Sequence, residues 1–89
     1  MKKEWLQEQT TVEDAERENL IQDERLGPNP VPFGFAHNLW LRFKEQIRQG
    51  DQIWRFCSPH DSWAHLAGRE GFCLVRDGEV VASVLTKMN

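Results

Sequence analysis

Asp77-Gly78, set between two runs of strand-forming residues, constrains this chain more than any other feature. A two-residue connection of this type takes positive φ at both central positions, and its twist matches that of the flanking strands. It predicts an antiparallel hairpin with strands at about 71–76 and 79–86. It also sets a register: Arg76 opposite Glu79, Val75 opposite Val80, Leu74 opposite Val81, Cys73 opposite Ala82, Phe72 opposite Ser83. Successive side chains alternate between faces. One face then holds Val75, Val80, Cys73, Ala82 and Val84, small enough to lie beneath a helix. The other holds Phe72, Leu74, Val81 and Leu85.

A helix to cover the first face precedes the hairpin. Ala36, Leu39, Trp40, Phe43 and Ile47 recur at helical spacing, and Gly50 suits the stop, so a main helix is expected at about 35–49. The run 52–57, Gln-Ile-Trp-Arg-Phe-Cys, reads as a strand. Ser58-Pro59-x-Asp61 reads as a helix start, with Ser58 as cap, for a short helix at about 59–67 that turns Trp63, Leu66 and Ala67 inward. The fold class expected is therefore α+β, a small and mostly antiparallel three-stranded sheet. The 13-residue link 58–70 admits either an antiparallel return or a crossover.

Charge and aromatic residues are unevenly placed. Residues 1–26 carry four bases and eight acids, and 27–89 carry seven bases and six acids. Eight of the nine aromatics lie between residues 33 and 72, and Trp5 is the exception. Residues 1–26 thus read as an acidic N-terminal arm, helical or disordered. A capping box from Thr10 to Glu13 would start a helix, but its apolar stripe is thin. Such an arm should add little to the stability of the rest. Residues 27–32, with Pro28, Pro30 and Pro32, read as an extended linker, and 33–89 as one compact domain.

An apolar content of 39% and a net charge of −3 describe a soluble domain rather than a strongly basic nucleic-acid binder. No signal-peptide or membrane-spanning pattern is read, and two cysteines are few for a secreted domain of this size, so a cytoplasmic location is expected.

The pattern Trp54-x-Phe-x-Ser-Pro-x-x-Ser-Trp-x-x-Leu-x-Gly-Arg-x-Gly, continuing into Leu74-Val75-Arg76-Asp77-Gly78, resembles small uncharacterised bacterial proteins over about residues 50–89. The resemblance implies no activity.

Two groups of residues carry candidate chemistry. Ser58, His60, Asp61 and Ser62 contain the side chains of a hydrolase triad, but neighbours on one helix diverge by about 100° per residue and do not converge on one atom. Cys57, His60, His65 and Cys73 are the right ligand types for a metal or a thiol-dependent centre. Their C-x2-H-x4-H-x7-C spacing matches no usual zinc pattern, and cysteines among apolar neighbours act as small hydrophobes. No catalytic residue and no cofactor is expected. The leading reading is a small non-enzymatic protein-interaction domain, adaptor or regulatory. Phe72, Leu74, Val81 and Leu85 would form its surface, and its partner would be another protein or a second copy of the chain. A metal- or thiol-dependent sensor or enzyme using the four Cys and His residues is the alternative. A nucleic-acid binder using Arg42, Lys44, Arg48, Arg55, Arg69 and Arg76 is the next. The uncharged run 80–85 offers an open strand edge for homodimer pairing.

Overall fold

The computed structural model describes residues 2–88. Met1 and Asn89, at the ends of the expected arm and domain, lie outside the described residues. The chain forms β1 (Leu6–Thr10), α1 (Val12–Glu18), β2 (Leu20–Ile21), β3 (Val31–Pro32), α2 (His37–Glu45), β4 (Gln52–Cys57), α3 (His60–Ala64), β5 (Arg69–Arg76) and β6 (Glu79–Met88). β1, β4, β5 and β6 make one antiparallel sheet in that order, and β2 pairs with β3 in a separate two-stranded ribbon. The 58–70 link is an antiparallel return.

The hairpin turn is as the sequence predicts, with Asp77 at φ 52° and Gly78 at φ 80°. Its register is not. Arg76–Glu79 and Val75–Val80 pair as expected, but Leu74 then faces Ala82, Cys73 faces Ser83 and Phe72 faces Val84. Val81 is an extra residue in β6, and Thr86 is a second. A single inserted residue moves every later side chain of one strand relative to the other. Ala82 and Val84 therefore share a face with Phe72 and Leu74 rather than with Cys73 and Val75. Phe72, Leu74, Val84 and Ala82 lie beneath α2, in one cluster with Trp40, Phe43, Phe33 and Ile53. Cys73, Val75 and Val80 lie on the opposite face with Phe56 and Trp54.

The core is largely aromatic. Trp40 stacks on Phe43 at 5.3 Å, meets Phe33 at 4.3 Å, and receives Phe72 edge-on at 5.8 Å. Such pairs each add roughly 0.5–1.5 kcal/mol beyond area burial. A 3-10 turn at Gly34–Ala36 leads into α2. The helix ends at Glu45, short of the expected residue 49. The Asp51 carboxylate accepts from the Arg48 amide at 2.9 Å, and the Arg76 guanidinium donates to the Gln46 carbonyl at 3.2 Å. These polar partners replace the next helical turn. Leu39, expected on the buried stripe, is 53% exposed.

The first 26 residues correct the expectation of a separate arm. β1 adds the fourth strand, with Leu6 opposite Phe56 and Thr10 opposite Ile53. Trp5 and Leu6 pack against Phe56, Cys73 and Val75 on the face that α2 does not cover. α1 starts at Thr11 rather than Thr10, the Thr11 hydroxyl accepting from the Asp14 amide at 3.1 Å. Its Ala15 is fully buried in the aromatic cluster. Glu16 accepts from Trp40 Nε1 at 2.7 Å and from Lys44 Nζ at 2.8 Å, joining α1 to α2. Those bonds, Lys44 first, hold its carboxyl below the usual range. The linker is ordered too: β3 sits beside β2, and the Phe33 amide donates to the Asn19 carbonyl at 2.7 Å.

Candidate interaction edge

The sheet has two edges, and they differ in kind. β1 is five residues long, carries Gln7, Glu8 and Gln9, and is irregular between Leu6 and Glu8. Shortness and charge blunt an edge against further pairing, whereas register irregularities occur in both edge ladders, one for β1 and two for β6. Glu8 also reaches Arg55 across the ladder at 3.6 Å. β6 is ten residues long and borders only β5. Between Glu79 and Lys87 it contains no charged residue. An edge strand presents unpaired backbone donors and acceptors to whatever approaches it.

α2 adds side-chain recognition beside this edge. Leu39 and Arg42 of the helix, Gln46 just beyond its end, and Ser83, Val84 and Leu85 of the strand line a shallow groove of about 320 Å³. Leu39 is 53% exposed, Val81 45% and Leu85 40%. An extended segment laid along β6 would meet backbone on one side and these apolar side chains on the other.

Of the four residues the sequence nominates as a surface, Val81 and Leu85 are exposed. Phe72 and Leu74 are buried beneath α2 at 3% and 0% exposure. Phe72 and Leu74 lie on the face that α2 covers, and the insertion at Val81 brings Ala82 and Val84 to that same face. Leu39 is the residue that sequence reasoning missed. Its helical spacing places it beside Trp40 and Phe43, and only its position at the rim of the stripe distinguishes it.

The residues nominated for metal or thiol chemistry are not brought together. No group of three or more metal-ligating side chains forms among the described residues. Cys73 is fully buried opposite Trp54, and burial pushes its thiol up to about 11, which disfavours the reactive thiolate. Cys57 stands three ladder positions away, opposite Glu70, and both cysteines are free. His60 is exposed, and His65 Nδ1 lies 2.7 Å from the Asp61 carbonyl on its own helix. Ser58 is not the cap of α3. It is buried, accepts from the Arg69 amide at 2.8 Å and from the Ser62 hydroxyl at 2.7 Å, and ties β4 to β5. Leu66 points outward at 77% exposure, and Ala67 is also exposed. Trp63 is the inward residue of this segment, lying against Gly68, where an added Cβ would be 2.0 Å from its ring.

The basic residues nominated for nucleic acid are partly engaged in ion pairs. Arg55 contacts Glu18 and Glu8, Arg76 contacts Asp51, and Lys44 contacts Glu16. No helix among the described residues is long and apolar enough to cross a membrane. Comparison with family models, curated proteins and solved structures finds no match for the chain.

Proposed function

We propose that this protein is a non-enzymatic interaction domain that binds an extended segment of a protein partner by strand addition along β6. The observation carrying this reading is the asymmetry of the edges. β1 is short and polar, whereas β6 runs for ten residues with charge only near its ends. In strand addition the main-chain hydrogen bonds supply affinity, and pockets for alternate side chains supply selectivity. The groove between α2 and β6 supplies the second element, with Leu39 and Leu85 at its rim.

A phage-displayed pool of random ten-residue peptides tests the reading. It would be panned against the whole chain and against Leu85→Lys and Val81→Lys variants. Both positions are exposed, and lysine on an edge opposes pairing. Enrichment of alternating apolar sequences on the wild-type chain, lost on both variants, supports the reading. Equal enrichment on all three chains, or none on a wild-type chain that is monomeric at the panning concentration, overturns it.

A further inference from the structure

β6 is self-complementary about Ser83, and we infer that its partner is a second copy of the same strand, paired antiparallel across a two-fold axis through that residue. The inference rests on the strand-addition reading and names its occupant. Antiparallel pairs alternate between hydrogen-bonded and non-hydrogen-bonded types. A two-fold axis normal to the sheet therefore passes through the pair a residue makes with its own copy. Several residues of β6 satisfy that condition, and charge selects among them.

With the axis at Ser83, Glu79 stands opposite Lys87 of the second copy, and the pair occurs twice. Ala82 stands opposite Val84, and Val81 opposite Leu85, so the stretch between the charges is apolar apart from Ser83 and Thr86. An axis at Ala82 places Glu79 opposite an apolar Leu85 instead, and the charge match is lost.

The two extra residues of β6 fall one on each side of this axis. Ser83 pairs with Cys73, and the ends Glu79 and Lys87 pair with Arg76 and Glu70. Four residues of β6 thus span three of β5 on either side of Ser83, with Val81 the extra one toward Glu79 and Thr86 the extra one toward Lys87. Each half of the strand contains one insertion. The advance along the sheet is therefore equal in both directions, and Glu79 stays level with Lys87 of the copy. Insertions usually protect an edge by spoiling its match to a straight strand. Here one insertion lies in each half of the strand, so the match between Glu79 and Lys87 of an identical copy is kept.

The rest of the surface agrees with this arrangement. Glu79 touches Lys3 at 3.3 Å through one carboxylate oxygen and remains largely exposed. An axis normal to the sheet keeps both copies of α2 on one face, so the two grooves rimmed by Leu39 and Leu85 adjoin. Closed two-fold dimers are the commonest symmetric assembly.

Sedimentation velocity of the full chain from low to high micromolar concentration tests the inference, using three charge variants. Glu79→Lys and Lys87→Glu each turn two attractive pairs into two repulsive ones and should weaken dimerisation about tenfold or more. The double variant Glu79→Lys/Lys87→Glu restores opposite charges and should return to within about threefold of wild type. In a Cys57→Ser background, Ser83→Cys should link to its own copy on mild oxidation, and Val80→Cys should not. A wild-type monomer at all concentrations, or a double variant no better than the singles, overturns the second-copy partner. Peptides enriched on a monomeric chain would leave strand addition standing and sink only the self-pairing. A monomer with no peptide enrichment would sink both.

Discussion

Gly71→Ala is the sharpest structural test of how β6 is held. Gly71 lies opposite Leu85, where the ladder meets the insertion at Thr86. A Cβ there would sit 2.0 Å from the Val84 carbonyl oxygen and 3.1 Å from Leu85 Cα. Both are backbone atoms of β6, so no side-chain rotation relieves the contact, and the strand must retreat by about 1 Å to reach even a tight separation. Val84 is 7% exposed and packs in the α2 cluster, so the displacement is resisted by the core. Overpacking of this kind costs about 2–3 kcal/mol. For a domain of this size that lowers Tm by roughly 10–20 °C. Gly50→Ala is the comparison. Gly50 has φ 90° but nothing within 4 Å of its added Cβ, so it carries a conformational cost alone, about 1 kcal/mol. Calorimetry gives both midpoints, and hydrogen exchange by mass spectrometry localises the effect. Amides of residues 80–86 should exchange faster in Gly71→Ala and not in Gly50→Ala. A Gly71→Ala midpoint equal to or above that of Gly50→Ala would refute the claim that backbone contact with β6 requires this glycine.

Glu16→Ala should lower stability by about 1–3 kcal/mol, because Trp40 is fully buried and its indole N–H loses its acceptor; Lys44→Ala, at a half-exposed pair, should cost less than about 1 kcal/mol. Urea unfolding of both variants checks the order, and a larger loss in Lys44→Ala would contradict it. Asp51 is held at about 2, below its ordinary 3.8, by the Arg76 guanidinium and the Arg48 amide. A depressed carboxylate stabilises the fold above its unfolded pKa and loses that contribution as pH falls through the folded value. The Tm advantage of wild type over Asp51→Asn should therefore be constant from neutral pH to about pH 5 and shrink toward pH 2; a gap that widens on acidification would refute the pairing. Ellman's reagent should titrate Cys57 in the native protein and Cys73 only after denaturation, and rapid reaction of both would show that β5 opens readily.

The elements legible in the sequence were those with a strong local signal. Asp77-Gly78 places the hairpin, the alternation in 52–57 places β4, and Trp40 with Phe43 places the helix over the sheet. The face assignment failed at one residue. Nothing in Val80-Val81-Ala82 marks an insertion, because valine is equally at home paired or extra, yet that insertion decides whether Ala82 and Val84 lie with Phe72 or with Cys73. β1 was illegible for a different reason. Gln7-Glu8-Gln9-Thr10 has no apolar alternation, and an edge strand with exposed side chains needs none. Trp5 carried the missing signal. A lone tryptophan outside the aromatic-rich region requires an apolar surface to cover, and the face of Phe56, Cys73 and Val75 is that surface.

The acidic character of the first 26 residues has the same explanation. Net charges of −4 on residues 1–26 and +1 on residues 27–89 suggest, in the sequence alone, an acidic arm beside a near-neutral domain. In the fold the acids are distributed against specific bases. Glu16 takes Lys44, Glu8 and Glu18 take Arg55, and Asp23 takes Arg25 within its own turn. Three of these four acids reach across from the N-terminal segment to α2 or β4. Exposed pairs of this kind add little stability individually, so the segment is held chiefly by the β1 ladder and by burial of Ala15, with Trp5 and Leu6 packed beside it. The ion pairs fix how it sits. They also set Glu8 and Glu18 on Arg55 of β4 rather than on the charges of β6. There Glu79 meets only the exposed Lys3 in an ion pair, and Lys87 makes none among the described residues. An N-terminal segment that closes one edge and one face in this way concentrates the remaining capacity for pairing on the other edge, at β6.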